Sequence, residues 1–171
     1  LGVAMVLVGA SNVHSTIYTF TKIVETGEEF SRFGAPAINN SGTVAFTSGN
    51  SVYKSNNGAT TLVASNRTIN NLVRINDAGN IAFHDNNNSE ENIYLATNDG
   101  SLTKVADVSG IFEAFTTPID LNNNNIVAFT ARLADGNRGI FTGSGGPIAT
   151  AVDSITITGT ADFYSESSGD I

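Results

Sequence analysis

Apolar residues along this chain come in short runs, each closed by a stretch rich in Asn, Gly, Ser and Thr, and the runs return in a fixed order. The segment Asn39-Asn40-Ser41-Gly42-Thr43-Val44-Ala45-Phe46 recurs as Asn76-Asp77-Ala78-Gly79-Asn80-Ile81-Ala82-Phe83. It recurs again as Asn122-Asn123-Asn124-Asn125-Ile126-Val127-Ala128-Phe129, with the closing Phe residues 37 and 46 positions apart. A β-branched-Ala-Phe run reads as a buried strand, and an Asn ahead of it closes an Asx-type turn. Asn125 stands where the other copies carry Gly42 and Gly79. Asn is the usual substitute for Gly in a left-handed turn position, so the exchange points to a backbone requirement.

The rest of each unit repeats as well. A second apolar run holds Val52-Tyr53, Ile93-Tyr94 or Ile140-Phe141. A tight-turn signal follows at Asn56-Asn57-Gly58, Asn98-Asp99-Gly100 or Ser144-Gly145-Gly146, and after it a third run. A fourth run then leads into the next motif, as in Asn71-Leu72-Val73-Arg74-Ile75. No stretch holds apolar residues at helical spacing over several turns, so the pattern predicts an all-β chain.

Four short strands per unit of about 40 residues is the pattern of a propeller blade, whose small sheet must stack on neighbours to bury its faces. The predicted fold is therefore a tandem array of four-stranded antiparallel units, β-propeller-like, with a β-solenoid or an open stack of hairpins as the rivals. Unequal unit lengths count against a solenoid. The blades are placed at 17–38 (partial), 39–75, 76–121 and 122–165, within a repeat domain over 16–171. Residues 17–24 are read as a third strand, and the Ala of each motif as lying on the innermost strand with Phe between blades. Residues 166–171 match the opening of a further repeat. The apolar run at 1–10, followed by small and polar residues to Ser15, is read as the remnant of a secretory leader. A first strand, or one donated to a neighbouring subunit, is the alternative for this segment.

Charge narrows the partners. The chain carries eight Lys and Arg against sixteen Asp and Glu, a net charge of −8, and its cations are scattered singly. That excludes a phosphate-neutralising nucleic-acid surface and attraction to anionic membranes. The absence of cysteine removes disulfides, zinc-thiolate sites and cysteine nucleophiles together.

The NxxGxVAF pattern of the three motifs resembles the tandem repeat of that name in exported bacterial proteins with various C-terminal anchors. The segments Phe30 to Ile38 and Gly139 to Ile148 are similar to that family's intervening stretches, and the resemblance spans roughly residues 17–171. It implies a secreted or cell-surface protein of bacterial origin, and it implies no chemistry and no catalytic residues.

The strongest local candidate for chemistry is the loop after the second motif. Asp85, Asn87, Ser89 and Glu91 place side-chain oxygens at alternate positions, a pattern suited to calcium. The central Gly and twelfth-position carboxylate of the helix-loop-helix calcium motif are missing. Asp120, Asp135 and Asp153 are turn-capping carboxylates that would also line an oxygen-rich rim. His14 and His84 are isolated, and Tyr18, Tyr53, Tyr94 and Tyr164 are read as packing positions or a sugar-stacking rim. No catalytic residue and no cofactor is assigned. The expected function is a non-enzymatic exported scaffold or binding module that presents its loops to a glycan or a surface protein. Its rivals are a hydrolase or lyase of polysaccharide, using carboxylates at the propeller mouth, and self-assembly through strand donation from the N-terminal segment.

Overall fold

The structure, a computed structural model, describes residues 19–87 and 90–153. The readings of residues 1–15, of Tyr18, of Ser89, of Tyr164 and of 166–171 lie outside the described residues. Every regular element among those described is a strand, and no helix among them is long and apolar enough to cross a membrane. The first sheet contains β1 (Ala37–Ile38), β2 (Val44–Ser48), β3 (Ser51–Asn56) and β4 (Ala59–Ala64). The second contains β5 (Ile69–Ile75), β6 (Ile81–Asn87), β7 (Glu90–Ala96) and β8 (Leu102–Asp107). The third contains β9 (Phe112–Leu121), β10 (Val127–Leu133), β11 (Arg138–Gly143) and β12 (Ala149–Asp153). In each sheet the strands lie in chain order and pair antiparallel.

The sheets are phased differently from the sequence reading. The run that leads into each motif pairs with the motif's own strand, as in Ile75 opposite Ile81, and not with the strand before it. The sheets therefore span 37–64, 69–107 and 112–153, in place of 39–75, 76–121 and 122–165. The physical reason lies in the Asn-x-x-Gly-x segment, which is itself a hairpin turn. Asn39 N donates to Thr43 O and Gly42 N to Asn39 O, and the same pair of bonds closes Asn76–Asn80 and Asn122–Ile126. Gly42, Gly79 and Asn125 hold φ of +78°, +78° and +63° at the equivalent position, the left-handed conformation expected of it. Residues 19–24 form no strand, so the expected third strand over 17–24 is not present in its described part.

A simple rule governs the faces. Phe46, Phe83 and Phe129 each lie opposite the aromatic of the next strand (Tyr53, Tyr94, Phe141) and stack on it with centroids 5.5–5.9 Å apart. Phe83 turns toward the first sheet and packs with Ala45, Val52 and Val73. Phe129 and Phe141 turn toward the second sheet and pack with Ala82, Ile93 and Leu95. Phe46 is covered by Phe30 and Phe33 from the segment ahead of β1. Strand alternation then sends the motif Ala to the opposite face, toward the following sheet. Complete burial of Phe83 contributes about 2–3 kcal/mol by transfer from water.

The Ala does not mark the innermost strand. The motif strands β2, β6 and β10 are second in their sheets, and β5 packs against both β1 and β9. The sheets thus meet through their first two strands and open toward the fourth. A β-bulge recurs at one place in every sheet, between Val52 and Tyr53, Ile93 and Tyr94, and Ile140 and Phe141. Bulges increase local twist, which helps the outer strands diverge.

Candidate functional site

The three motif turns stack side by side, and their side chains form a ladder of amides. Asn39 Oδ1 accepts from Ser41 N and Thr43 N within its own turn, while its Nδ2 donates to Asn76 O at 3.0 Å. Asn76 repeats the arrangement, accepting from Asn80 N at 3.0 Å and donating to Asn122 O at 3.1 Å and Asn125 Oδ1 at 2.8 Å. Asp77 ties the middle turn to both neighbours. Its carboxylate accepts from Asn40 N, Asn40 Nδ2 and Asn123 Nδ2, and its own N–H donates to Asn123 Oδ1. The backbone N–H of Asn40, then the side-chain amides of Asn123 and Asn40, hold the Asp77 carboxyl below its usual range.

Beside this ladder runs a polar groove of about 230 Å³ across the joint between the first and second sheets. Asn39, Thr43, Lys54, Asn56, Asp77 and Asn98 are among its lining residues. The Lys54 ammonium crosses the joint to Asn98 Oδ1, and Asn98 N donates to Asn80 Oδ1 at 2.8 Å. The groove walls are therefore cross-linked side to side before any ligand arrives.

A second polar region lies at the far end of the second sheet. Asp85 accepts from Thr68 N at 2.9 Å and from Arg67 Nη1 at 3.1 Å, and the same Nη1 donates to Tyr94 Oη at 3.0 Å. The Arg67 guanidinium carbon stands 4.5 Å from the centre of the Tyr94 ring. Burial opposes the Arg67 charge, but the hydrogen bonds to Asp85 and Tyr94 and their fields outweigh it and raise its pKa. On the other face, Glu91 Oε2 accepts from Phe115 N at 2.8 Å and stands 3.6 Å from His84 Nε2, beyond hydrogen-bond reach. His84 is fully buried edge-on against Phe115, and neither ring nitrogen has a hydrogen-bond partner. Burial pushes its pKa down, against the opposing fields of Glu91 and Asp85.

This geometry separates the calcium candidates. Asp85 opposes Asn92, Asn86 opposes Glu91 and Asn87 opposes Glu90 across the β6–β7 hairpin. Opposed residues share a face and successive ones alternate, so Asp85 and Glu91 project from opposite faces. Among the described residues no three His, Asp or Glu side chains gather at metal-holding distance. Asp120 caps its neighbour Leu121 N and lies 3.6 Å from Arg74, while Asp135 caps Asn137. Of Asp153 the structure describes the backbone pairing with Gly139. Tyr53 and Tyr94 are half-buried and each stacks on its motif Phe, the packing position expected of them.

Comparison with solved structures gives the fold. A structure from Agrobacterium tumefaciens assigned as a TolB superposes with a TM-score of 0.55 at 14% identity, over 73% of this chain and 50% of that one. The fold is β-propeller-like. The chain spans about half the length of that protein. No family model matches the sequence, and no curated protein does.

On this propeller-like frame one further cleft, of about 240 Å³, opens over the second blade beside Glu90, Glu91, Lys104 and Asp107. Carboxylates around a cleft invite a glycosidase reading, which needs one carboxyl kept protonated. Asp107 is not that protonated group. Hydrogen bonds from Lys104 Nζ and from Ser109 hold it at about 2, so it is ionised at neutral pH. Its exposed pair with Lys104 makes it a surface anchor for the Ser109 turn. The ladder was only half legible in the sequence. The repeated Asn signalled a turn, whereas its second role, bonding turn to turn, required the turns to be neighbours in space.

Proposed function

We propose that the chain is part of an exported, non-enzymatic propeller-type module that holds a glycan in the groove beside the stacked turns. The observation that carries this reading is the groove itself, lined by hydroxyls and by the Asn39 and Asn98 side-chain amides, which hydrogen bonds hold in place. Amides offer a donor and an acceptor together, which matches the hydroxyls of a sugar and avoids burying a net charge. Fixed walls lower the ordering cost that weak polar ligands otherwise meet. Export rests on the resemblance of the repeat to exported proteins and on the apolar opening of the sequence.

A glycan array carrying neutral and acidic oligosaccharides, followed by calorimetry on the hits, tests the ligand. The reading expects a hit whose affinity falls about tenfold in Asn56→Ala, a groove residue outside the ladder, through loss of a polar contact worth about 1–1.5 kcal/mol. An empty array together with an empty pull-down would leave a purely structural role.

A further inference from the structure

Residues at one register position have unequal surroundings on the three sheets. Thr47, Val52 and Ala64 form a cross-strand row on the first sheet and are 1%, 0% and 8% exposed. His84, Ile93 and Ala106 form the same row on the second and are 1%, 0% and 7% exposed. On the third sheet the row is Thr130, Ile140 and Val152, and there Ile140 is 42% and Val152 37% exposed. The motif Ala repeats the contrast, with Ala45 and Ala82 sealed and Ala128 half-buried. So does the ladder. Asn39 and Asn76 each donate across to the next turn, whereas the Asn122 amide group makes no such bond among the described residues.

We infer that this face of the third sheet is a docking surface for one further four-stranded unit of the same repeat. That unit lays its stacked aromatic pair over Ala128, Ile140 and Val152, and the first carbonyl of its Asn-x-x-Gly turn accepts from Asn122 Nδ2. The interface is continuous with two that the molecule already contains, the same rows having met the same aromatic pair at each. A second copy of this chain fits less well, because its own leading aromatic pair, Phe46 and Tyr53, is already covered by Phe30 and Phe33. The inference is independent of the glycan reading, since the groove lies at the other joint.

The absence of cysteine gives a direct test. Ile140→Cys and, as a control on the outer part of the first sheet, Leu62→Cys each introduce a single thiol whose labelling rate reports exposure. The rates are compared in the chain as it stands and in one extended by a copy of residues 128–153 after Ile171, which aligns with Val127. A second extension copies residues 82–107. The expected result is fast labelling of both thiols in the unextended chain, and a fall of about tenfold or more at position 140 alone on extension, because buried thiols are inert. Fast labelling at position 140 in both extended chains overturns the inference. So does slow labelling in the unextended chain, whether independent of concentration, which would mean the face is covered from within, or increasing with concentration, which would make a second copy the occupant.

Discussion

Replacing Asn39, Asn76 or Asn122 by Ala removes the same side chain from the same turn in three different settings. Asn76 is 4% exposed, and its loss deletes the acceptor of Asn80 N and the donors to Asn122 O and Asn125 Oδ1. Three hydrogen bonds at about 1 kcal/mol net each, with a buried N–H left unpaired, give an expected cost of about 3–4 kcal/mol. Asn39 makes two turn bonds and one bond to its neighbour from a half-buried position, for about 2 kcal/mol. Asn122 is exposed and, among the described residues, its side chain makes two turn bonds, which water can replace, for about 1 kcal/mol or less. Urea unfolding followed by far-ultraviolet circular dichroism, with midpoints compared at constant slope, should rank the losses Asn76, Asn39, Asn122. Equal losses at Asn76 and Asn122 would refute the ladder, because they would assign the whole effect to turn closure.

Three further outcomes are expected. Asn125→Gly should destabilise by about 1–2 kcal/mol despite easing a positive φ, since Asn76 Nδ2 and Asn80 Nδ2 both donate to the Asn125 oxygen; a neutral or stabilising result in urea melts would reduce the position to its backbone role. His84 has a folded pKa below its ordinary 6.5, so the unfolded chain binds more protons in the window between the two values. Stability is full above 6.5 and falls as pH drops through that window, by up to about 1.4 kcal/mol per unit, an effect that His84→Phe should abolish. His14 is common to both proteins and cancels in the difference; matching pH profiles for the two would remove the argument. Millimolar calcium should leave the melting temperature unchanged, because Asp85 is already held by Arg67 and Thr68 and faces away from Glu91; a rise of several degrees would restore the cation site.

By itself the sequence determined the strands from the first motif onward, the turn chemistry and the number of strands per unit, though not the absence of a strand over 19–24. These are local properties: alternation in Val-Ala-Phe, positive φ at Gly42, Gly79 and Asn125, and the aromatic that follows each motif all act within a few residues. It could not settle the phase of the sheets, because Leu72 to Ile75 is an equally good strand for the hairpin before it or the one after it. Tertiary structure decided that by closing the Asn-x-x-Gly-x turn between β5 and β6. Asn125 shows the same division. Its backbone duty was readable from the motif, while its side chain's two donors come from residues 45 and 49 positions earlier. The two carboxylates of the calcium pattern were parted for a related reason. Alternate spacing aligns oxygens along an extended loop, but the hairpin across β6 and β7 turned Asp85 and Glu91 to opposite faces and gave each a different neighbour to hold.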